Sequence, residues 1–191
     1  RPQDFGVELF HPGALNKFEA FSQMLAESGR SVPYRYVMLI DDDLRFAPGD
    51  VSRYFELCEA HRLFLSQPAI AWGSNSNHLC NPVCVVRQVI FAEVMAPCFS
   101  REALVQLLPT FLLTRCTWGI DYAWSSMLQG RGLISVVDAV TMDHTKPMDR
   151  AEGPSLNLRV RCDVRAAGGT HRQFVTVIAP DGSLVDNFEE H

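Results

Sequence analysis

Three consecutive aspartates, Asp41, Asp42 and Asp43, are the residues of this 191-residue chain whose type and spacing most directly suggest chemistry. They follow an apolar run, Tyr36 to Ile40, that has the length and composition of a buried strand. Adjacent carboxylates repel one another. At a strand end, where open α/β sheets present their ligand crevice, three of them call for a cation or a basic partner. Asp41 and Asp43 point the same way if the extended geometry persists through the turn. Two hard oxygen ligands on one side suit Mg²⁺ or Mn²⁺, which take one or two carboxylates and leave other positions to water and phosphate oxygens. A solvated acidic turn has the same composition. A D-x-D after an apolar strand also occurs both in phosphohydrolases with an aspartyl nucleophile and in nucleotide-sugar transferases, so other segments must separate these uses.

Further along, Glu93 stands late in an apolar run, where a carboxylate is either a satisfied core group or a site residue. Asp121, in the stretch WGIDYAW, opens a helical pattern and reads as an N-cap. Its neighbours Trp118, Tyr122 and Trp124 supply a second reading, since aromatic walls are what a sugar ring stacks on. His144 follows a β-branched strand as the aspartates follow theirs, and neutral imidazole is a competent third metal ligand. A lone histidine is also commonly structural. His78, Cys80 and Cys84 match no common zinc spacing and lack a fourth ligand, so they read as structural.

The elements that must position these residues follow from periodicity and turn signals. Phe5 to Phe10 reads as a short strand. Leu15, Phe18, Phe21 and Leu25 recur at helical spacing between Ala14 and Glu27. Asp50 is expected to cap a second helix whose apolar face holds Val51, Tyr54, Phe55 and Cys58. Strands are expected over Leu63 to Ile70, Val89 to Val94 and Leu133 to Val140. Helices are expected after Ser100 and from Asp121 to Leu128. Past Pro154 the pattern changes to alternation over 158–165 and two β segments, Phe174 to Ala179 and Leu184 to Val185, which read as an appended antiparallel meander.

Composition narrows the class. Apolar residues are 47% and charged residues 20%, a globular balance. Seventeen basic residues against 22 acidic ones give a formal net charge of -5 without a basic stripe, which argues against nucleic acid as a partner. No apolar run approaches the ~20 residues of a membrane-spanning helix. The six cysteines lie mostly in apolar surroundings and read as thiols of a reducing, cytoplasmic compartment, with a Golgi lumen as the alternative if an anchor precedes Arg1.

Taken in order, VMLIDDDLRF, LSQPAI, FAEVMAPCFS, WGIDYAW and VVDAVTMDHTKP resemble domain-of-unknown-function family 707, glycosyltransferase-like proteins of plants and bacteria, and more distantly the GT-A class of nucleotide-sugar transferases. The likeness covers about Phe5 to Pro147. It implies an α/β, Rossmann-like mixed sheet flanked by helices over residues 1–154, while residues 155–191 lie outside the likeness and read, from their own pattern, as a C-terminal β extension. A GT-A domain normally opens with a base-binding strand upstream of where this chain starts. By the same resemblance, Asp41, Asp43 and His144 would hold Mn²⁺ or Mg²⁺, and Asp41 and Asp42 would face the diphosphate of a nucleotide-sugar donor. Asp121 would serve as the base of an inverting enzyme, and Glu93, Trp118 and Tyr122 would line the pocket for a carbohydrate or other hydroxyl acceptor.

Two other functions share parts of this pattern. A phosphohydrolase would use Asp41 as nucleophile and Asp43 as acid/base, but it also needs a lysine and a further acidic pair late in the chain, where Lys146 is the only lysine. A transferase-fold module without catalysis would keep the sheet and bind no nucleotide.

Overall fold

The computed structural model describes residues 16–28, 32–72, 78–113, 117, 119–145, 174–178 and 184–188, the last two segments as backbone. Its elements, in chain order, are α1 (Lys17–Ser28), β1 (Tyr36–Met38), β2 (Leu44–Phe46), α2 (Asp50–Ala60), β3 (Leu65–Ile70), β4 (Val86–Val89), β5 (Cys98–Ser100), α3 (Arg101–Leu107) with a 3-10 turn (Leu108–Leu112), α4 (Ile120–Leu128), β6 (Ile134–His144), β7 (Phe174–Ile178) and β8 (Leu184–Phe188). The strands form one mixed sheet in the order β1-β5-β3-β6-β4-β7-β8, with β2 paired to β6 outside that path. The chain is thus α/β. No helix among the described residues is long and apolar enough to cross a membrane.

The sheet is built around β3 and β6, which run parallel. Every residue of β3 is buried, Gln67 and Pro68 included. β6 has eleven residues, three more than the expected Leu133 to Val140, because β2 pairs antiparallel with its far end and carries the ladder through His144. The register between β3 and β6 slips after Pro68. A proline has no N–H to give the ladder, and there Ala139 donates its N–H across to Val85 instead.

Several expectations need correction. The run from Tyr36 to Ile40 is not a central buried strand: β1 has three half-buried residues and closes one end of the strand order. Its backbone continues along the 95–100 segment, with Leu39 N–H donating to Pro97 O and Asp41 N–H to Met95 O, while Ile40 is 40% exposed. The expected strand over Val89 to Val94 lies earlier, at Val86–Val89, and Glu93 sits in the loop that follows. Neither Asp50 nor Asp121 is an N-cap. Gly49 and Gly119 hold those positions with φ of 88° and 94°, left-handed values that a glycine reaches without strain. The two aspartates fall inside the first turn, where a carboxylate complements the positive helix end. Ser100 does cap α3, its hydroxyl accepting from Ala103 N–H at 3.1 Å.

Trp124 is core rather than a pocket wall. It is fully buried and packs edge-on against Phe99 and Phe18, with Phe111 beside all three, and its indole N–H donates to Thr110 Oγ1 at 2.8 Å. This aromatic group binds α1 and α4 to β5. The strand expected over 5–10 and the alternation over 158–165 lie outside the described residues. β7 pairs with both β4 and β8, antiparallel in each case.

Candidate functional site

The aspartates and His144 meet because β2 folds back onto the end of β6. Leu44 pairs with His144, which puts Asp43 beside the last turn of that strand. Thr145 then donates both its N–H and its hydroxyl to Asp43 O, each at 2.8 Å, and fixes the backbone there. His144 Nε2 lies 3.5 Å from Asp43 Oδ2. The other oxygen, Asp43 Oδ1, is buried and has no hydrogen-bond partner among the described residues. Because a buried carboxylate oxygen without a partner costs free energy, its orphan state is an observation that a ligand would explain.

Asp41 is occupied otherwise. Lys17, from the first turn of α1, reaches it with Nζ at 2.6 Å from Oδ1, and the same ammonium donates to Met95 O at 2.7 Å. The Lys17 side chain is 14% exposed and that of Asp41 40%. Burial lowers the Lys17 pKa to about 8, against the raising effect of Asp41. Burial likewise raises Asp41, with Lys17 pulling it down and Asp43 pushing it up. Both partners are driven toward their neutral forms by loss of water, and each is held charged by the other. Asp42 is exposed at the turn.

Two carboxylates and an imidazole at the end of β6 are a donor set that fits Mg²⁺ or Mn²⁺. With Lys17 on Asp41, the described residues contain no three His, Cys, Asp or Glu side chains already grouped around a cation position. Asp43 and His144 are the part of the set that stands ready.

A second cluster is buried around the 91–95 loop. Gln67, fully buried in β3, accepts from Glu93 N–H and places its amide 3.5 Å from Glu93 Oε2. His78 stacks near Phe91, and Phe91 packs against Tyr122 of α4 with ring centres 5.0 Å apart. Burial lowers the His78 pKa to about 4, with Glu93 opposing. Asp121, 8% exposed, accepts from Tyr122 N–H at 3.0 Å. The loop 91–95 therefore touches α4 through Phe91, β3 through Glu93, and both Asp41 and Lys17 through Met95 O. Trp118 lies outside the described residues.

Lys17 and Gln67 belong to no metal-ligand or catalytic motif of the sequence. Lys17 carries a weak signal, since it sits four residues before Phe21 and so on the stripe that faces the core. A glutamine inside the mostly apolar run LSQPAI is a stronger one, because a buried amide needs partners. Asp138, a carboxylate inside the β-branched run VVDAV, carries the same signal. It is buried in β6 and bonded to Arg87. Clefts of about 420 Å³ around Arg35, Arg62 and Arg101 and of about 250 Å³ around Gln88, Leu128 and Gly132 contain none of the aspartates or His144. No protein-family model matches the chain, and no curated protein matches it.

Proposed function

We propose that this protein is a metal-dependent glycosyltransferase of GT-A type that moves a sugar from a nucleotide-sugar donor to a hydroxyl acceptor with inversion. The observation that carries this is the meeting of Asp43 and His144, 101 positions apart, around a buried carboxylate oxygen that has no partner among the described residues. Asp41, Asp43 and His144 hold the cation, and Asp42, exposed beside them, faces the donor's diphosphate. When bound, Mg²⁺ or Mn²⁺ supplies Lewis-acid stabilisation of the charge that develops on the departing nucleoside diphosphate. Asp121 takes the acceptor hydroxyl's proton. Glu93, buried in the 91–95 loop, Tyr122, buried beside that loop, and Trp118 supply the acceptor pocket.

Calorimetric titration with Mn²⁺ and a panel of nucleoside diphosphates tests this directly. Metal-dependent binding of one nucleotide is expected, and the Asp41→Ala/Asp43→Ala double variant is expected to lose it. Binding of no nucleotide, or equal binding by the double variant, rejects the proposal. A lysine on Asp41 is also what a phosphohydrolase with an aspartyl nucleophile would use. Release of inorganic phosphate from a simple aryl phosphate, lost in Asp41→Asn, would favour that function instead.

A further inference from the structure

We infer that Lys17 is a built-in rival of the divalent cation: its ammonium occupies Oδ1 of Asp41, and a metal that takes both aspartates competes with it for that carboxylate. This rests on the metal-binding function proposed above and concerns how that site is regulated. Lys17 Nζ is 2.6 Å from Asp41 Oδ1, a charge-assisted contact with which a second cation on this carboxylate must compete. Its other contact, Met95 O at 2.7 Å, lets the ammonium keep a partner when it leaves the carboxylate. Asp43 Oδ1 meanwhile stays without a partner among the described residues, so the tether neutralises one half of the donor set and leaves the other half waiting. The anchoring is firm because Lys17 opens α1, whose next residue, Phe18, is fully buried among Phe111 and Trp124.

Such an arrangement has two consequences. The apo site carries an internal positive charge and avoids three bare carboxylates in one turn. Metal affinity is also lower than the donor set alone would provide, and a bound diphosphate that adds to the cation's attraction raises it. Lys17, once released, is then free to meet the anion.

The chain contains only two lysines, Lys17 and Lys146, which makes the displacement measurable in the unaltered protein. Amine acetylation followed by mass spectrometry, with Mn²⁺ alone as the ligand, is expected to show Lys17 protected without metal and labelled several-fold faster with it, relative to Lys146. In parallel, Lys17→Met keeps the apolar stem and removes the charge, and calorimetry is expected to show Mn²⁺ affinity raised by at least about tenfold, as loss of a competing charge at contact distance requires. Unchanged labelling of Lys17 on Mn²⁺ binding overturns the inference, as does equal or weaker Mn²⁺ affinity in a folded Lys17→Met. In either case the metal function stands if the wild type binds Mn²⁺. Absence of Mn²⁺ binding in both proteins overturns the two together.

Discussion

Asp43 sits against the end of β6 and Asp138 lies within that strand, and both have a basic side chain within reach, yet their oxygens are used in opposite ways. Asp138 is wholly inaccessible, and each oxygen is taken: Arg87 Nε donates to Oδ2 at 2.9 Å and Asn81 N–H to Oδ1 at 2.8 Å. Arg87 in turn donates to Leu79 O at 2.8 Å, tying the 79–81 turn to the strand. Burial raises the Asp138 pKa, with Asn81 and Arg87 pulling it back. At Asp43 one oxygen stands 3.5 Å from an imidazole and the other has no partner among the described residues. A carboxylate with full valence holds a fold together. One held in place by its backbone, with a lone pair unused, is placed for something that comes and goes.

Removing Arg87 is the hardest test of that contrast. Arg87→Met should leave a buried, uncompensated charge and lower unfolding free energy by about 3–5 kcal/mol, read from the urea midpoint. The loss should shrink as pH falls, since protonating Asp138 removes the charge that is left unpaired. Mn²⁺ affinity should stay as in the wild type. A loss under about 1 kcal/mol would make the pair no better than a surface salt bridge, and the contrast would collapse.

His78 sharpens it from the opposite sign. Its folded pKa is lowered to about 4 by burial, against 6.5 for the free side chain, so the unfolded chain binds the proton more readily between those values. Stability from this group is fully present above pH 6.5 and is lost as pH falls toward 4, by on the order of 3 kcal/mol in all. Asp138, with its pKa raised, contributes in the other direction over the acid range. Urea unfolding at pH 7 and at pH 4.5 should show the loss in the wild type and less of it in His78→Phe. An equal acid loss in both would mean that His78 is not held neutral.

What could be read in advance divides along the same line. The α/β pattern, α1, α2 and the buried β3 follow from apolar spacing over windows long enough to average out errors. His144 was legible as a polar group after a β-branched run, although β2 draws it into the strand itself. Boundaries failed where a side chain or a glycine took over a backbone group. Gln67 captures Glu93 N–H and pulls the 90–94 segment out of the sheet. Gly49 and Gly119 take the cap positions assigned to aspartates. The pairing of Lys17 with Asp41 spans 24 positions between a helix and a strand end, and no local pattern encodes it.

The smallest effect on stability should come from the residue with the largest effect on function. Asp43→Asn keeps the size of the side chain and leaves the backbone carbonyl that receives both Thr145 bonds untouched. It removes a charge that no hydrogen bond to Oδ1 from the described residues stabilises and that pushes up the pKa of Asp41. Unfolding free energy should therefore change by less than about 1 kcal/mol, since relief of repulsion with Asp41 is offset by lost attraction to Lys17 and His144. The same substitution takes one of the two carboxylates from the metal site, so calorimetry should show Mn²⁺ binding lost or weakened beyond detection. Loss of more than about 2 kcal/mol with Mn²⁺ binding intact would place Asp43 with Asp138 as a structural carboxylate. Near-wild-type stability without metal binding would instead show that the turn is built to present an oxygen that the fold itself does not need.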